Sequence, residues 1–516
     1  MATQNLGQFF EEQCSLFEEK AALSYLVTSG GINRADTVTY GELIRGAKYL
    51  SEKLQLAGLG AGDRCAIFAN SSVQWVVAFI AIQLCGGVDV TGDPSRGYQT
   101  FFEIISQSGA RFCFLDKDRA HFHKNLANRP KIILLNDLDY FPPLKEIGSE
   151  NYTVDRMDRT KGVRKKSGRM KVKSLFSGSS FSGGSRQSYS DIASIIYKPF
   201  IKNSKQIKGV ALAHANILKN IDIVSQLVPS AELGSIGTNL PFWRADGRAA
   251  LLFSMRTGAE LCLMKSSDLK SEIKNFSVVL LMISSKDANY LSDLIHEGSF
   301  LRFPGVNTLY RFYIAAVIRL AKEKAIFLGE IPEFFDAPFL EKMRAVFFSM
   351  AVSVFLFPVS ILGRFIFNPF ITHFLGKSLR AVIAGGESVS METDFLFSSL
   401  GISVFETYYL AEASHVIACR VPEFDGQKAR QAPGTVGPLL PETEIRLIDQ
   451  HDQDVSTIPG ATGKIYVRGP QIMQGYYLDV DSTNEVLGRG GWLFTGDEGR
   501  LSLDGELQIT KRESWI

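Results

Sequence analysis

The chain of 516 residues has little that would tie it to a secreted or metal-stapled framework. Its six cysteines (Cys14, Cys65, Cys85, Cys113, Cys262, Cys419) are scattered without a CxxC pair. That argues against a disulfide scaffold or a zinc site and suits a reducing compartment. The opening MATQNLGQFFEEQCSLFEEK is amphipathic and acidic, with neither the basic n-region nor the apolar h-region of a signal peptide. No such leader is expected, and the expected location is cytoplasmic. Charge is also scarce, at 21% charged residues and a net +2, which leaves no footprint for nucleic acid over the whole chain. What is present is 45% hydrophobic, an ordinary globular composition. The length is too great for one simple domain and ample for a large core.

The first half alternates helix and strand. TVTYGELIRGAKYLSEKL runs from a strand edge into a helix with apolar positions at Leu43, Ala47, Leu50 and Leu54. Cys65–Ala69 reads as a buried strand, and Asn70-Ser71 as the cap of a helix whose face includes Trp75, Val76, Phe79 and Ile80. Cys85–Val90 and Ser108–Leu115 each end in another strand. The alternation predicts an α/β fold with mainly parallel sheets covered by helices. Residues 155–189 break the pattern with a basic run and then a Gly/Ser-rich stretch, read as a surface loop. Such a loop is either a solvated linker or a contact for anionic lipid.

Near the other end, GWLFTGDEGRLSLDG (Gly491–Gly505) predicts a turn, a short strand, a second turn at Thr495-Gly496-Asp497, and a hairpin closed by Asp504-Gly505. A carboxylate that a Gly-containing turn presents outward is suited to gripping a pair of sugar hydroxyls, though an isolated TGD is more often an Asx-turn between two strands. Here TGD follows GKIYVRGPQIMQGYY (Gly463–Tyr477). With TYGEL, GLGAGDRCAIFANSSVQWVVAFIAIQLCGG and SGARFCFLD upstream, the order resembles the AMP-forming acyl-activating enzymes, the adenylate-forming superfamily.

The resemblance implies a fold: the large N-terminal domain of that superfamily, two stacked helix-covered sheets plus a small β-barrel-like subdomain, with the mobile C-terminal domain absent. It divides the chain into 1–190, 191–430 and 431–512, with 513–516 as a truncated hinge. It implies binding of ATP or AMP, Mg²⁺ and CoA, and a fatty acid or acyl chain as partner, with a separate C-terminal domain as a further candidate partner and no nucleic acid. Residue by residue, FETYYLAEASHV matches the family's FExYGLTE, so Tyr408 would stack on adenine and Glu412 would help hold Mg²⁺, for which a carboxylate is a proper hard ligand. The family's Gly and Thr are replaced by Tyr409 and Ala411, and Tyr409 puts a ring where the acyl tunnel meets the reacting carboxylate. Asp497 and Arg512 would contact ribose. Gly385, Gly386 and Glu387 close a buried strand beside the adenine. Lys208 flanks the phosphate loop.

Several departures accompany the match. The family's phosphate loop, YTSGTTGxPKG, is replaced between Tyr197 and Gly209 by a stretch whose Lys198-Pro199-Phe200-Ile201-Lys202-Asn203 holds no glycine or hydroxyl. Lys198, Lys202 and Lys205 remain as point charges for pyrophosphate, without the backbone nest. LPFWRADG matches LPLxHxxG with Arg244 at the family His. Arg244 either pairs with a carboxylate substrate, closes the pocket by pairing with an acid such as Asp246, or is a surface residue at a helix start. Ala345–Leu362 holds eighteen residues without a charge. It leads into FIFNPFITHFLGKSLRAVIAGGE, which resembles the LVFxKIRxxLGGRLRxxxSGGAP passage of long-chain fatty acid–CoA ligases. Residues 343–375 are predicted to form two helices, the first exposing an apolar face to a bilayer surface, acyl substrate or partner. Peripheral attachment at the cytoplasmic membrane face is expected over a true span. The functional expectation is an acyl-activating protein related to long-chain fatty acid–CoA ligases, impaired or incomplete as an enzyme. The alternative is a non-catalytic nucleotide- or acyl-binding, or membrane-associated, scaffold.

Overall fold

In the computed structural model the described residues are 5–29, 32–125, 130–135, 192–198, 207–227, 234–298, 304–328, 331, 338–420 and 432–512. The basic stretch 155–189, Lys202, Lys205 and residues 513–516 lie outside them.

Local sequence accounts for the early elements. The helix Tyr40–Leu56 starts on a capping box in which Thr39 and Glu42 satisfy each other's backbone N–H groups. The helix Val73–Leu84 is apolar nearly all round, hence buried on most of its surface. Its cap is Ser72, which accepts from the Trp75 N–H, one residue beyond the expected Asn70-Ser71.

Three sheets result. The first holds seven strands in the order Gly475–Tyr476, Gly209–Ala213, Ile192–Tyr197, Val88–Thr91, Arg64–Phe68, Phe112–Leu115 and Lys131–Leu134. The second holds eight: His415–Cys419, Ser403–Leu410, Ala381–Gly385, Leu280–Ser284, Ser235–Thr238, Glu260–Leu263, Ala21–Ser29 and Ile32–Thr39. Pairings are parallel through the middle of both; the second sheet turns antiparallel at both ends, the first only at the end holding Gly475–Tyr476 and Gly209–Ala213. The expected boundary at 190/191 follows chain order, but the sheets exchange segments across it. Ala21–Ser29 and Ile32–Thr39 join the second sheet, and Ile192–Tyr197 and Gly209–Ala213 join the first.

The helix Ala245–Thr257 locks the sheets together. It follows the second-sheet strand Ser235–Thr238, yet the guanidinium of its Arg248 reaches Asp89 of the first sheet at 2.7 Å. Arg248 also donates to Thr91 Oγ1 at 3.0 Å and to Ser194 Oγ, and lies over the Phe79 ring at 4.8 Å. Asp89 accepts further bonds from Gln83 and Ser194. Burial pushes its carboxyl above the usual range, and Arg248 opposes that rise.

The third sheet is four-stranded and antiparallel: Glu444–Ile448, Thr462–Arg468, Leu493–Leu501 and Leu507–Lys511. Here the Thr495-Gly496-Asp497 turn is corrected. A single nine-residue strand, Leu493–Leu501, runs straight through it. Gly496 takes φ +83° and the pairing registers shift on either side, so an irregular strand supplies the bend that the sequence suggested as a turn. The hairpin at Asp504-Gly505 forms as expected, with Gly505 at φ +79°.

The predicted helix pair at 343–375 is likewise corrected to one helix of 37 residues, Phe339–Leu375, with Pro358 and Pro369 inside it. At 1.5 Å per residue it is about 55 Å long. An antiparallel neighbour, Pro304–Leu328, packs along it. Gly363 lets the Tyr313 ring pack directly on the helix backbone, Tyr313 donates to Asn368 at 2.7 Å, and Ser349 donates to the Glu323 carbonyl at 2.7 Å. Packing along the pair overrides the local break that proline favours. The other flank stays bare: Phe347, Val354, Phe355, Leu362 and Phe365 are exposed, with Phe355 and Phe365 each at 80%. Among the described residues this is the one helix long and apolar enough to cross a membrane.

Candidate functional site

Three groups of side chains gather around the strand Ser403–Leu410 and the short turn after it. Alternation along this strand sends Tyr408 and Tyr409 to opposite faces.

Tyr408 points toward the small sheet. Its ring is fully buried, and its hydroxyl donates to Asp497 Oδ2 at 2.7 Å. Asp497 is itself 4% exposed, turned inward where the sequence suggested an outward carboxylate. The Arg512 guanidinium lies 5.4 Å from the centre of the Tyr408 ring, and its Nε and Nη2 are buried without a hydrogen-bond partner. Orphaned guanidinium donors beside a carboxylate and an aromatic face suit a polar ligand bearing hydroxyls.

The second group surrounds Glu412. Lys198 Nζ donates to its Oε1 at 2.8 Å, and so does the Tyr476 hydroxyl at 2.8 Å. Glu412 Oε2 is buried without a partner. Burial would raise this carboxyl, but the Lys198 ammonium and the two hydrogen bonds outweigh it and leave the group below its usual value. Lys208 stacks its ammonium 5.0 Å from the Tyr476 ring centre, which places this expected site residue in the same group. A small cleft opens on this second group, lined by Lys198, Leu410, Glu412, Tyr476, Phe494 and Thr495. The Mg²⁺ that the fold family implies does not fit Glu412 as it stands. One carboxylate oxygen is already taken by an ammonium, and a divalent ion on the other would face that ammonium across a single carboxylate.

The third group is a closed knot. Arg244 Nη2 sits 2.8 Å from Asp246 Oδ2 and donates to the Tyr409 hydroxyl at 3.1 Å; that hydroxyl donates to Asp246 at 2.8 Å. Of the readings open for Arg244, this is the internal pair. Tyr409 stacks on His415 with ring centres 4.8 Å apart. A Cβ on Gly385 would lie 2.6 Å from the Tyr409 ring, and one on Gly386 3.1 Å from its hydroxyl. So the surface expected to border adenine borders this ring. The Glu387 side chain forms an exposed pair with Lys286 at 2.8 Å.

Sequence reading missed Tyr476, although it stands in the quoted GKIYVRGPQIMQGYY, and the buried trio behind the strand. In that trio Arg420 meets Asp394 at 2.5 Å and Glu406 at 3.5 Å. Burial raises the Glu406 carboxyl to about 7, against Arg420, and lowers His415 to about 4. The signs oppose. The Glu406 contribution is full below the usual 4.5 and lost as pH rises through 7. The His415 contribution is present above the usual 6.5 and lost as pH falls toward 4. Glu406→Gln removes the first alone. The variant's stability should therefore fall more steeply than the wild type's between pH 7 and pH 5, measured as urea midpoints; parallel slopes would contradict the assignment.

Comparison with known proteins adds an outside measure. A profile of the AMP-binding enzyme family matches residues 10–197 and 206–477. The sequence is 26% identical over 483 residues to the "Probable acyl-activating enzyme 16, chloroplastic" of Arabidopsis thaliana, covering 90% of this chain and 63% of that one. It is 22% identical over 529 residues to the long-chain-fatty-acid–CoA ligase of Bacillus subtilis, covering 100% of this chain and 78% of that one. O-succinylbenzoate coenzyme A synthetase from Bacillus subtilis, solved in complex with AMP, superimposes with a TM-score of 0.63 at 18% identity, over 99% of this chain and 100% of that one. Its likeness is one of fold. The chain thus spans 63% of the length of the Arabidopsis relative.

Proposed function

This chain belongs to the AMP-binding enzyme family, and from that premise we propose an acyl-activating protein of the long-chain fatty acid–CoA ligase kind, working at a lipid surface. The observation that carries the reading is the meeting of Asp497, Tyr408 and Arg512 with two orphaned guanidinium nitrogens. A ribose diol entering there gives two O–H donors to Asp497, displacing the Tyr408 hydroxyl that now stands in for one of them. Its oxygens accept from Arg512. The reaction is attack of a fatty carboxylate on the α-phosphate of ATP, releasing pyrophosphate and forming acyl-AMP, after which a thiol such as CoA attacks the acyl carbon, forming the thioester and releasing AMP. Tyr409 must swing off Gly385 and Gly386 before an acyl chain can reach the nucleotide.

The helix pair supplies the lipid contact in this reading. The bare apolar flank of Phe339–Leu375 lies in the leaflet, while exposed Arg311, Arg319, Lys322 and Lys324 on its neighbour lie at the headgroups.

A second reading, a non-catalytic nucleotide- or acyl-binding scaffold, is favoured by the Arg244–Asp246–Tyr409 knot, which fills the acyl approach with the protein's own side chains. ATP–pyrophosphate exchange with C12–C18 fatty acids separates them. The first reading expects exchange above background that drops by more than about 100-fold in Asp497→Ala, since two charge-assisted hydrogen bonds are lost at roughly 1.5–3 kcal/mol each. No exchange, with AMP still raising the melting temperature, gives the second. Neither exchange nor AMP protection overturns both.

A further inference from the structure

The cation on Glu412 belongs to the chain. We propose that Lys198 is a built-in replacement for the divalent metal at this carboxylate, so that the cleft takes an adenylate, AMP or acyl-AMP, without metal; this rests on the nucleotide reading of the neighbouring Asp497 group. Lys198 follows directly on the buried strand Ile192–Tyr197, and its N–H donates to the Lys208 carbonyl at 3.1 Å, which fixes where the side chain departs. The ammonium reaches Glu412 at 2.8 Å with 13% of the Lys198 side chain and 6% of the Glu412 side chain exposed. A pair this dry is held by geometry, and its charges are poorly screened by salt.

An ammonium has three N–H donors. One is spent on Glu412, which leaves two, and Lys198 lines the cleft that also holds Leu410 and Thr495, two positions from Tyr408 and Asp497 respectively. A phosphate monoester or mixed anhydride bound there would find donors from Lys198 on one side and the ribose grip on the other. A triphosphate carrying its own metal would set that metal against Lys198. The position is thus built for one phosphate and no ion, which sides with the second reading above, a site that holds AMP or acyl-AMP, against the ATP step of the first.

Two measurements test this. The first is AMP binding by calorimetry, in EDTA and in MgCl₂. The expected dissociation constants agree within 2-fold in the wild type, and Lys198→Ala weakens AMP at least 10-fold in EDTA while Lys198→Arg restores most of the loss. A 10-fold gain on adding Mg²⁺ to the wild type would overturn the proposal. The second uses Mn²⁺ alone, followed by electron paramagnetic resonance, and needs no nucleotide. The wild type should leave Mn²⁺ free, Lys198→Ala should acquire a bound ion, and Lys198→Ala/Glu412→Gln should lose it again. Mn²⁺ held by the wild type and released in Glu412→Gln would refute the replacement. If AMP binds nowhere while the Mn²⁺ series behaves as expected, the nucleotide reading fails and the Lys198 substitution for metal stands. Lys198→Met/Glu412→Gln, which leaves no unpaired charge, shows whether any loss in Lys198→Ala comes from unfolding.

Discussion

Arg248→Met should cost about 3–5 kcal/mol of stability, the price of stranding a buried carboxylate. Asp89 is fully buried, and Arg248 is its cation at 2.7 Å. Arg248 stands on the helix that follows a second-sheet strand and Asp89 on a first-sheet strand, so the pair fixes how the layers stack as well as the charge balance. The measurement is urea denaturation followed by tryptophan fluorescence, since Trp75 lies against the same guanidinium. Arg248→Met/Asp89→Asn removes both charges and should recover most of the loss, because a neutral amide can keep the bonds to Gln83 and Ser194. Equal losses in the single and double variants would mean that packing, not charge, governs the site.

Phe355→Glu/Phe365→Glu should reduce binding to vesicles of mixed neutral and anionic lipid by more than about 100-fold, with the fold untouched. Each ring is 80% exposed, so nothing inside the protein depends on it. Withdrawing two phenyl groups from lipid forfeits roughly 1.5–3 kcal/mol apiece, before the cost of charge at the interface. Co-flotation with vesicles gives the result directly. Sedimentation in the absence of lipid examines the rival occupant, a second copy of the chain. A wild type that stays in the heavy fraction and sediments as a dimer would sink the lipid reading.

Much of the fold was legible because it is written locally. The helix entered through TVTYGEL, the helix face of Trp75, Val76, Phe79 and Ile80 and the buried strand at Cys65–Ala69 each follow from neighbours in sequence. Tyr408, Asp497 and Arg512 could be grouped through the family motifs, and in the structure they do meet. What escaped were contacts between distant positions. Lys198 and Glu412 are 214 residues apart, and only the paired sheets bring them together. The nine-residue strand through Thr495-Gly496-Asp497 escaped because TGD is turn chemistry, and its pairing on both sides overrode that preference. The proline-containing helix escaped for the same reason. Its continuity comes from Tyr313 and Glu323 on its neighbour, and no local rule reports them.

The exchange of segments between sheets also governs how the molecule can be made. Ala21–Ser29 has to wait for Glu260–Leu263, its parallel partner, and the first sheet is not finished until Gly475–Tyr476 docks on Gly209–Ala213. A chain emerging from the ribosome therefore carries an unpaired N-terminal hairpin through more than two hundred residues of synthesis, counted from Ser29 to Glu260. Contacts of such long sequence separation make for slow folding and an extended exposure of sticky edges. Expression at low temperature or with chaperones should accordingly raise the soluble yield of the whole chain, while a fragment ending at residue 190 should gain nothing.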